Sequence, residues 1–304
     1  MNCALHSLET KGNKGSKCSF WLVLLTFALR GMPAPAQIAP PLAPEVTNSL
    51  PSVTFTMPLV PASVLLKRLE QFQGSNLDRE STLRTIFSQA GCLKANISTV
   101  GTGTHQPPDV VCALPGESPG EIIVGGHFDY VKAGDGVVDD WSGASLLPTL
   151  YQSLSKTPHR HTFLFIGFSN EEKGLIGSKY YVARLSQQQK AGIRAMVNLE
   201  CLGLNDAEVW AHHADPQLLR KLFQTAQALR FPLPIVNVER VGTDDAESFR
   251  ERHLPTITIH SLTQRTVGII HSRNDRISAI NMGYYYENYR LVDAYLLYLD
   301  QSLK

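Results

Sequence analysis

The chain reads as an α/β protein: a single-domain three-layer α/β/α sandwich around a mixed, mostly parallel central sheet. Three observations predict it. Apolar runs at 121–126, 163–168 and 196–199 each end in ionisable residues, as buried strands do where they surface. Stretches with apolar positions at helical spacing alternate with those runs, the pattern of a doubly wound sheet. Roughly 245 residues follow a proline-rich stretch, enough for one such domain with a sizeable core.

In chain order, residues 1–36 read as an export signal. Lys11, Lys14 and Lys17 precede an apolar core at 20–29, and Ala34-Pro35-Ala36 offers a small-residue cleavage site before Gln37. Ten apolar-rich residues are too few to span a bilayer, which takes about 20. Export to the periplasm or the extracellular space is therefore expected, with no stable membrane insertion after cleavage. A short uncleaved anchor is the alternative, because Arg30 interrupts the region before the cleavage site. Residues 37–61, rich in proline, read as an extended leader without a core of its own, and the catalytic domain is expected over 62–304. Loss of Lys11, Lys14, Lys17, Arg30 and Glu9 with the signal takes the formal charge from +1 to −2, so nothing suggests a nucleic-acid partner.

Helices are expected over 62–72 and 77–90, the second closed by Gly91. A hairpin follows at 95–100 and 109–114, flanked by Cys92 and Cys112. A bridge across it is reasonable in an exported protein, and two free thiols are the other reading until the Cα separation is known. Next come the strand before His127, a glycine-rich turn at 134–143, a helix over 141–154, the strand before Glu171, and a helix over 174–185. The strand before Glu200, a strand near Val209, a helix over 215–229, a strand-like run at 256–261 and a final helix over 282–303 complete the order. Cys201 reads as a buried thiol.

The chemistry concentrates where strands end. Glu171 and Glu172 stand side by side after FLFIGFSN, and two adjacent acids repel and shift each other's pKa unless a cation compensates. His127 and Asp129 follow EIIVGG, Glu200 follows MVNL, and in open α/β sheets ligands collect at these carboxyl ends. Asp139, in the glycine-rich turn, is expected at a helix start, where the dipole keeps an acid ionised. His271 follows an apolar pair in a loop. That makes five candidate metal ligands and a spare acid. Among the other histidines His260 stands out, since the run ending in it could reach the pocket wall; the rest read as surface or structural.

The order HFD, an acid twelve residues on in G-x-x-D-D-x-S-G, then EE, NLE and a late HS-x-x-D resembles the co-catalytic zinc aminopeptidases of peptidase clan MH over roughly residues 60–304. Relatives there include secreted leucyl-type aminopeptidases, glutamate carboxypeptidases, glutaminyl cyclases and the transferrin receptor ectodomain. The resemblance implies a sandwich of the zinc-peptidase type and two Zn2+ ions, with Co2+ or Mn2+ as alternatives. One ion would be held by His127, Asp139 and Glu200, the other by Asp139, Glu172 and His271. It further implies Glu171 as general base towards a water shared by the ions, and Asp129 as the acid that orients the His127 imidazole. The substrate would be a peptide with a free amino terminus.

Three readings stay open beside it. A glutaminyl cyclase would work with a single zinc. A metallo-carboxypeptidase would need a cation for the terminal carboxylate, for which Arg265 or Arg273 could serve. A binding module would have lost turnover, against which the intact acids argue. Asp140 stands where many relatives carry asparagine, and Glu200 where aspartate is common. The pocket for the first side chain is expected from the segments around Leu202, Ile257 and Gly268. Oligomeric state is not legible.

Overall fold

The computed structural model describes residues 47–50, 53–101, 106–238 and 242–304, so the expected export signal lies outside the described residues. The described chain opens with β1 (Thr47–Leu50) and β2 (Val53–Thr56), paired antiparallel. Met57 and Val60 after them are fully buried, and the Val60 amide donates to the Tyr289 hydroxyl at 3.0 Å. The fold thus begins inside the stretch expected to run as a coreless leader, ahead of residue 62. Proline content obscured the signal: Pro51 falls between the strands and Pro58 after them, while Val-Thr-Phe-Thr is all strand-forming.

Helices α1 (Ala62–Leu69) and α2 (Asn76–Gln89) follow. Ser75 and Asp78 form a reciprocal capping box at the start of α2. Then come β3 (Ile97–Val100) and β4 (Asp109–Leu114), an antiparallel pair tied behind by a Cys92–Cys112 disulfide with Cα atoms 6.6 Å apart. The bridge left open by the sequence is formed.

The expected β5 (Glu121–His127), α3 (Ser142–Leu154), β6 (Thr162–Phe168) and α4 (Ile176–Arg184) follow, then an unanticipated short α5 (Gln187–Gly192) and the expected β7 (Ile193–Glu200). After these come β8 (Glu208–Val209), α6 (Pro216–Leu229), α7 (Ala246–Arg250), β9 (Thr256–His260) and α8 (Met282–Ser302). Strands β3 to β9 form one seven-stranded sheet in the order β3-β4-β6-β5-β7-β9-β8. Its four middle strands are parallel, and the outer ones pair antiparallel at both sides. The sheet is mixed, as the sequence predicts.

Strand periodicity splits the core into two layers. Ile122 and Val124 of β5, Phe163 and Phe165 of β6, and Ala195 and Val197 of β7 pack with α2, α3, α6 and α8. Ile123, Ile166, Phe168 and Met196 face the other way, onto Tyr181 and Val182 of α4 and Phe249 of α7. That gives the three layers. The chain leaves β5 to build β6 on one side and returns to build β7 on the other, so the strand order reverses at β5 and opens a crevice beyond its carboxyl end. No helix among the described residues is long and apolar enough to cross a membrane.

Candidate metal centre

His127 ends β5 and is buried, with its ring held on both sides. Nδ1 lies 3.1 Å from the Asp129 carbonyl oxygen, and Nε2 lies 3.1 Å from Asp139 Oδ1 and 3.4 Å from Glu200 Oε1. The Asp129 carboxylate, expected to orient this imidazole, stands 3.6 Å from Nδ1. Its hydrogen bonds go elsewhere: Oδ1 accepts from the Glu171 amide at 2.9 Å and Oδ2 from the Glu172 amide at 3.3 Å. Asp129 therefore fixes the acid pair as well as approaching the imidazole.

Asp139 and Asp140 divide the work differently from the expectation. Asp140, not Asp139, sits on the start of α3: Oδ1 accepts from the amides of Gly143 at 3.0 Å and Cys201 at 2.9 Å, and Oδ2 from His127 N at 3.2 Å. Asp139 has extended rather than helical angles, φ −115° and ψ 94°, and is joined to Asp140 by a cis peptide bond. Its carboxylate faces the crevice and spans two histidines, Oδ1 towards His127 Nε2 at 3.1 Å and Oδ2 towards His271 Nε2 at 3.0 Å. Burial works to raise its pKa, but the two imidazoles outweigh burial and hold Asp139 well below the usual carboxylate range. The histidines, not the helix, keep it ionised.

Beyond β6, Asn170 in a left-handed conformation turns the chain into a tight bend at Glu171–Lys173. Glu172 Oε2 meets His271 Nε2 at 3.0 Å, and Glu171 Oε2 stands 3.8 Å from His127 Nε2. His271, with φ 53°, reaches in from an exposed turn, half open to solvent. Burial, reinforced by Asp245, Glu200 and Asp139 and opposed by His127, pushes the Glu171 carboxyl up to about 10. Burial and Asp139 push Glu172 up to about 7. His271 is pushed up to about 9, chiefly by its hydrogen bond to Asp139. Burial disfavours a charge on His127, yet the surrounding carboxylates hold its pKa well above the ordinary value. Acids outnumber imidazoles here, so the cluster calls for positive charge.

The donor set fits such a charge. Ligand atoms of His127, Asp139 and Glu200 all lie within 4.8 Å of one another, as do those of Asp139, Glu172 and His271. Nitrogen and carboxylate oxygen without thiolate suit zinc. Glu172 Oε1 is buried with no hydrogen-bond partner among the described residues, a lone pair free for a cation.

The cluster forms one wall of a cavity of about 180 Å³, whose other side includes Leu175, Cys201, Trp210, Leu262 and Ile270. His260 lines it as expected, although both ring nitrogens are engaged: Nδ1 accepts from Leu262 N at 3.1 Å and Nε2 lies 2.9 Å from the Val236 carbonyl oxygen. Burial pushes its pKa down to about 4. The segments around Leu202, Ile257 and Gly268 reach the cavity through Cys201, Thr258 and Ile270, while Leu202 and Ile257 themselves belong to the main core; on β9 the alternation of strand side chains separates Ile257 from Thr258. Neither Arg265 nor Arg273 lines it.

Two further acids border the site. Asp244 lines the cavity, accepting from Ala246 N at 2.9 Å and from Thr258 Oγ1 at 2.7 Å. Asp245 is fully buried, and its charge acts on Glu171.

The model of Peptidase family M28 matches residues 109–296. A probable leucine aminopeptidase 2 of Aspergillus fumigatus is 29% identical over 172 residues, 55% of this chain and 32% of that protein. The chain thus spans about a third of the length of the curated relatives it matches. Among solved structures, the LapA aminopeptidase of Legionella pneumophila superposes with a TM-score of 0.70 at 22% identity, over 81% of this chain and 73% of LapA. A glutaminyl cyclase from an Acidobacteriales bacterium superposes with a TM-score of 0.67 at 18% identity, over 89% of this chain and 99% of the cyclase. With the family model covering more than half of its length, the chain belongs to peptidase family M28.

Proposed function

We propose that the chain is an exported zinc-dependent aminopeptidase that hydrolyses the amino-terminal bond of peptides. The observation that carries this reading is the pair of ligand triads that share Asp139 and open, beside Glu171, into one cavity. His127, Asp139 and Glu200 would hold one zinc, and Asp139, Glu172 and His271 a second. Zinc at such a site polarises a carbonyl and brings the pKa of water towards neutrality.

The chain's own residues supply the rest. Glu171 lines the cavity with Oε2 3.8 Å from His127 Nε2, a looser contact than the 3.0 Å of Glu172 to His271. The charge of zinc beside it would offset the burial that raises its pKa and leave a carboxylate to accept the proton of the attacking water and return it to the departing amine. Asp129 holds the two amides of the acid pair and so fixes where Glu171 points. The carboxylates of the cavity attract the cationic amino terminus, and the apolar wall receives the first side chain. No Lys or Arg lines the cavity among the described residues, which favours an amino end over a carboxyl end. The signal-like segment and the Cys92–Cys112 bridge support export.

Metal analysis of the purified protein, combined with assays on free-amino, amino-blocked and amino-terminal glutamine peptides, tests the reading. About two zinc ions per chain and release of residues from free-amino peptides alone are expected. One ion with ring closure of glutamine would make the chain a cyclase, and cleavage of blocked peptides would overturn the aminopeptidase reading.

A further inference from the structure

We propose that Arg79, on α2, is a positioning residue for the metal centre, its guanidinium fixing the path of the loop between His127 and Asp139 so that both reach one ion. The inference rests on the two-triad reading above. It concerns a residue that precedes the matched family region, 109–296.

Arg79 is 1% exposed, yet the four hydrogen bonds it makes go to backbone carbonyls rather than to a carboxylate. Nε donates to Phe72 O at 2.8 Å, which ties the arginine to the turn before its own helix. Nη1 donates to Phe128 O at 3.2 Å and to Gly136 O at 3.0 Å, and Nη2 donates to Asp135 O. Phe128 directly follows His127, and Gly136 stands three residues before Asp139. One planar group therefore grips both ends of the loop. The Tyr130 ring covers the guanidinium at 4.0 Å, and Trp141 lies 5.6 Å away on the far side of Asp139 in sequence.

The grip is matched from the amide side. Asp275 Oδ1 accepts from Val137 N at 2.8 Å and Val138 N at 2.7 Å, and its carbonyl accepts from Asp135 N at 2.7 Å. Asp275 lies four residues after His271, so the loops bearing His127, Asp139 and His271 are held between an acid and a buried cation. Gly136, at φ 57°, permits the arrangement, since a Cβ there would stand 2.2 Å from the Tyr130 Cβ. A buried charge is expensive to desolvate. A guanidinium gives in return a rigid fork that a neutral side chain cannot reproduce.

The test replaces Arg79 in the full chain with lysine and with methionine. Zinc dissociation constants are read by competition with a chromophoric chelator, at a temperature where circular dichroism shows each variant folded. Visible spectra of the cobalt-substituted proteins are recorded in parallel. Groups that orient metal ligands change affinity about 10- to 100-fold. Arg79→Met should weaken zinc by about that factor and alter the cobalt spectrum, with Arg79→Lys rescuing little because a single ammonium cannot span the three loop carbonyls. In turnover, kcat should fall with KM little changed. Wild-type affinity and spectrum in both variants, even with a lowered Tm, would reduce Arg79 to a structural staple and overturn the proposal. Should neither variant fold, Arg79→Gln, which keeps N–H donors but cannot span the loop carbonyls, is measured instead, and wild-type zinc affinity and cobalt spectrum there sink the idea as well. A wild-type chain that takes up no zinc defeats the two-triad reading first, which separates the two failures.

Discussion

Glu171 and Glu172 leave one turn towards different partners, Glu172 to His271 at 3.0 Å and Glu171 to the cavity beside His127 at 3.8 Å. Glu171→Gln should therefore lower kcat by about 10²- to 10⁴-fold, the range for a lost general base, while zinc content stays at the wild-type level. Zinc lost together with activity would show that Glu171 is a ligand instead. The residues of the cluster were legible because each stands where an apolar run meets an ionisable side chain, and strand ends are easy to see in one dimension. Asp139 was legible as the inward acid through the family resemblance, but that Asp140 rather than Asp139 takes the start of α3 was not. Asp139 and Asp140 differ by backbone angles that only the packed turn imposes. Arg79 was invisible for a related reason: its partners are carbonyls, and every residue has one.

Helix α8 carries a buried acid, Asp293. Asp293 accepts from Ser153 Oγ of α3 at 2.9 Å, and burial pushes its carboxyl up to about 7. At acid pH both the folded and unfolded chains hold this proton. As pH rises from about 4, the unfolded chain releases it first, so the stabilisation present below the ordinary carboxyl pKa is lost by about pH 7. Asp293→Asn does not titrate, so its unfolding free energy from urea titration should gain on wild type across that window, by on the order of a few kcal/mol. A constant difference from pH 4 to 8 would refute this. In the β3–β4 hairpin, Cys92→Ser with Cys112→Ser should cost about 3 kcal/mol of stability, measured by denaturant unfolding, and leave kcat/KM of the folded protein unchanged. Long elements were legible from periodicity. Among the short ones β8 was anticipated near Val209, but α5 was not: it is Gln-Gln-Gln-Lys-Ala-Gly, with no apolar stripe, and it is held by a Ser186–Gln189 capping box rather than by core contacts.

At the scale of the molecule, the parallel strands deliver their carboxyl ends, and therefore their acids, to one rim of the sheet. Chelation should lower the Tm in calorimetry and zinc should restore it, since free metal at 1,000 times its dissociation constant contributes about 4 kcal/mol to a protein that binds it only when folded. An unchanged Tm would mean that the rim needs no cation. A lateral edge of the sheet carries a different hazard. β3 is a four-residue border strand, with Ser98 and Thr99 exposed, and it shields Val110, Val111 and Cys112 of β4 through the pairing Ile97↔Cys112. The disulfide keeps that shield in place. In a reducing medium β3 can peel away and leave an apolar strand with unsatisfied amides, a template to which another copy adheres. Light scattering that grows with protein concentration only after reduction is the expected result, and it gives the bridge a second purpose: to keep each molecule solitary.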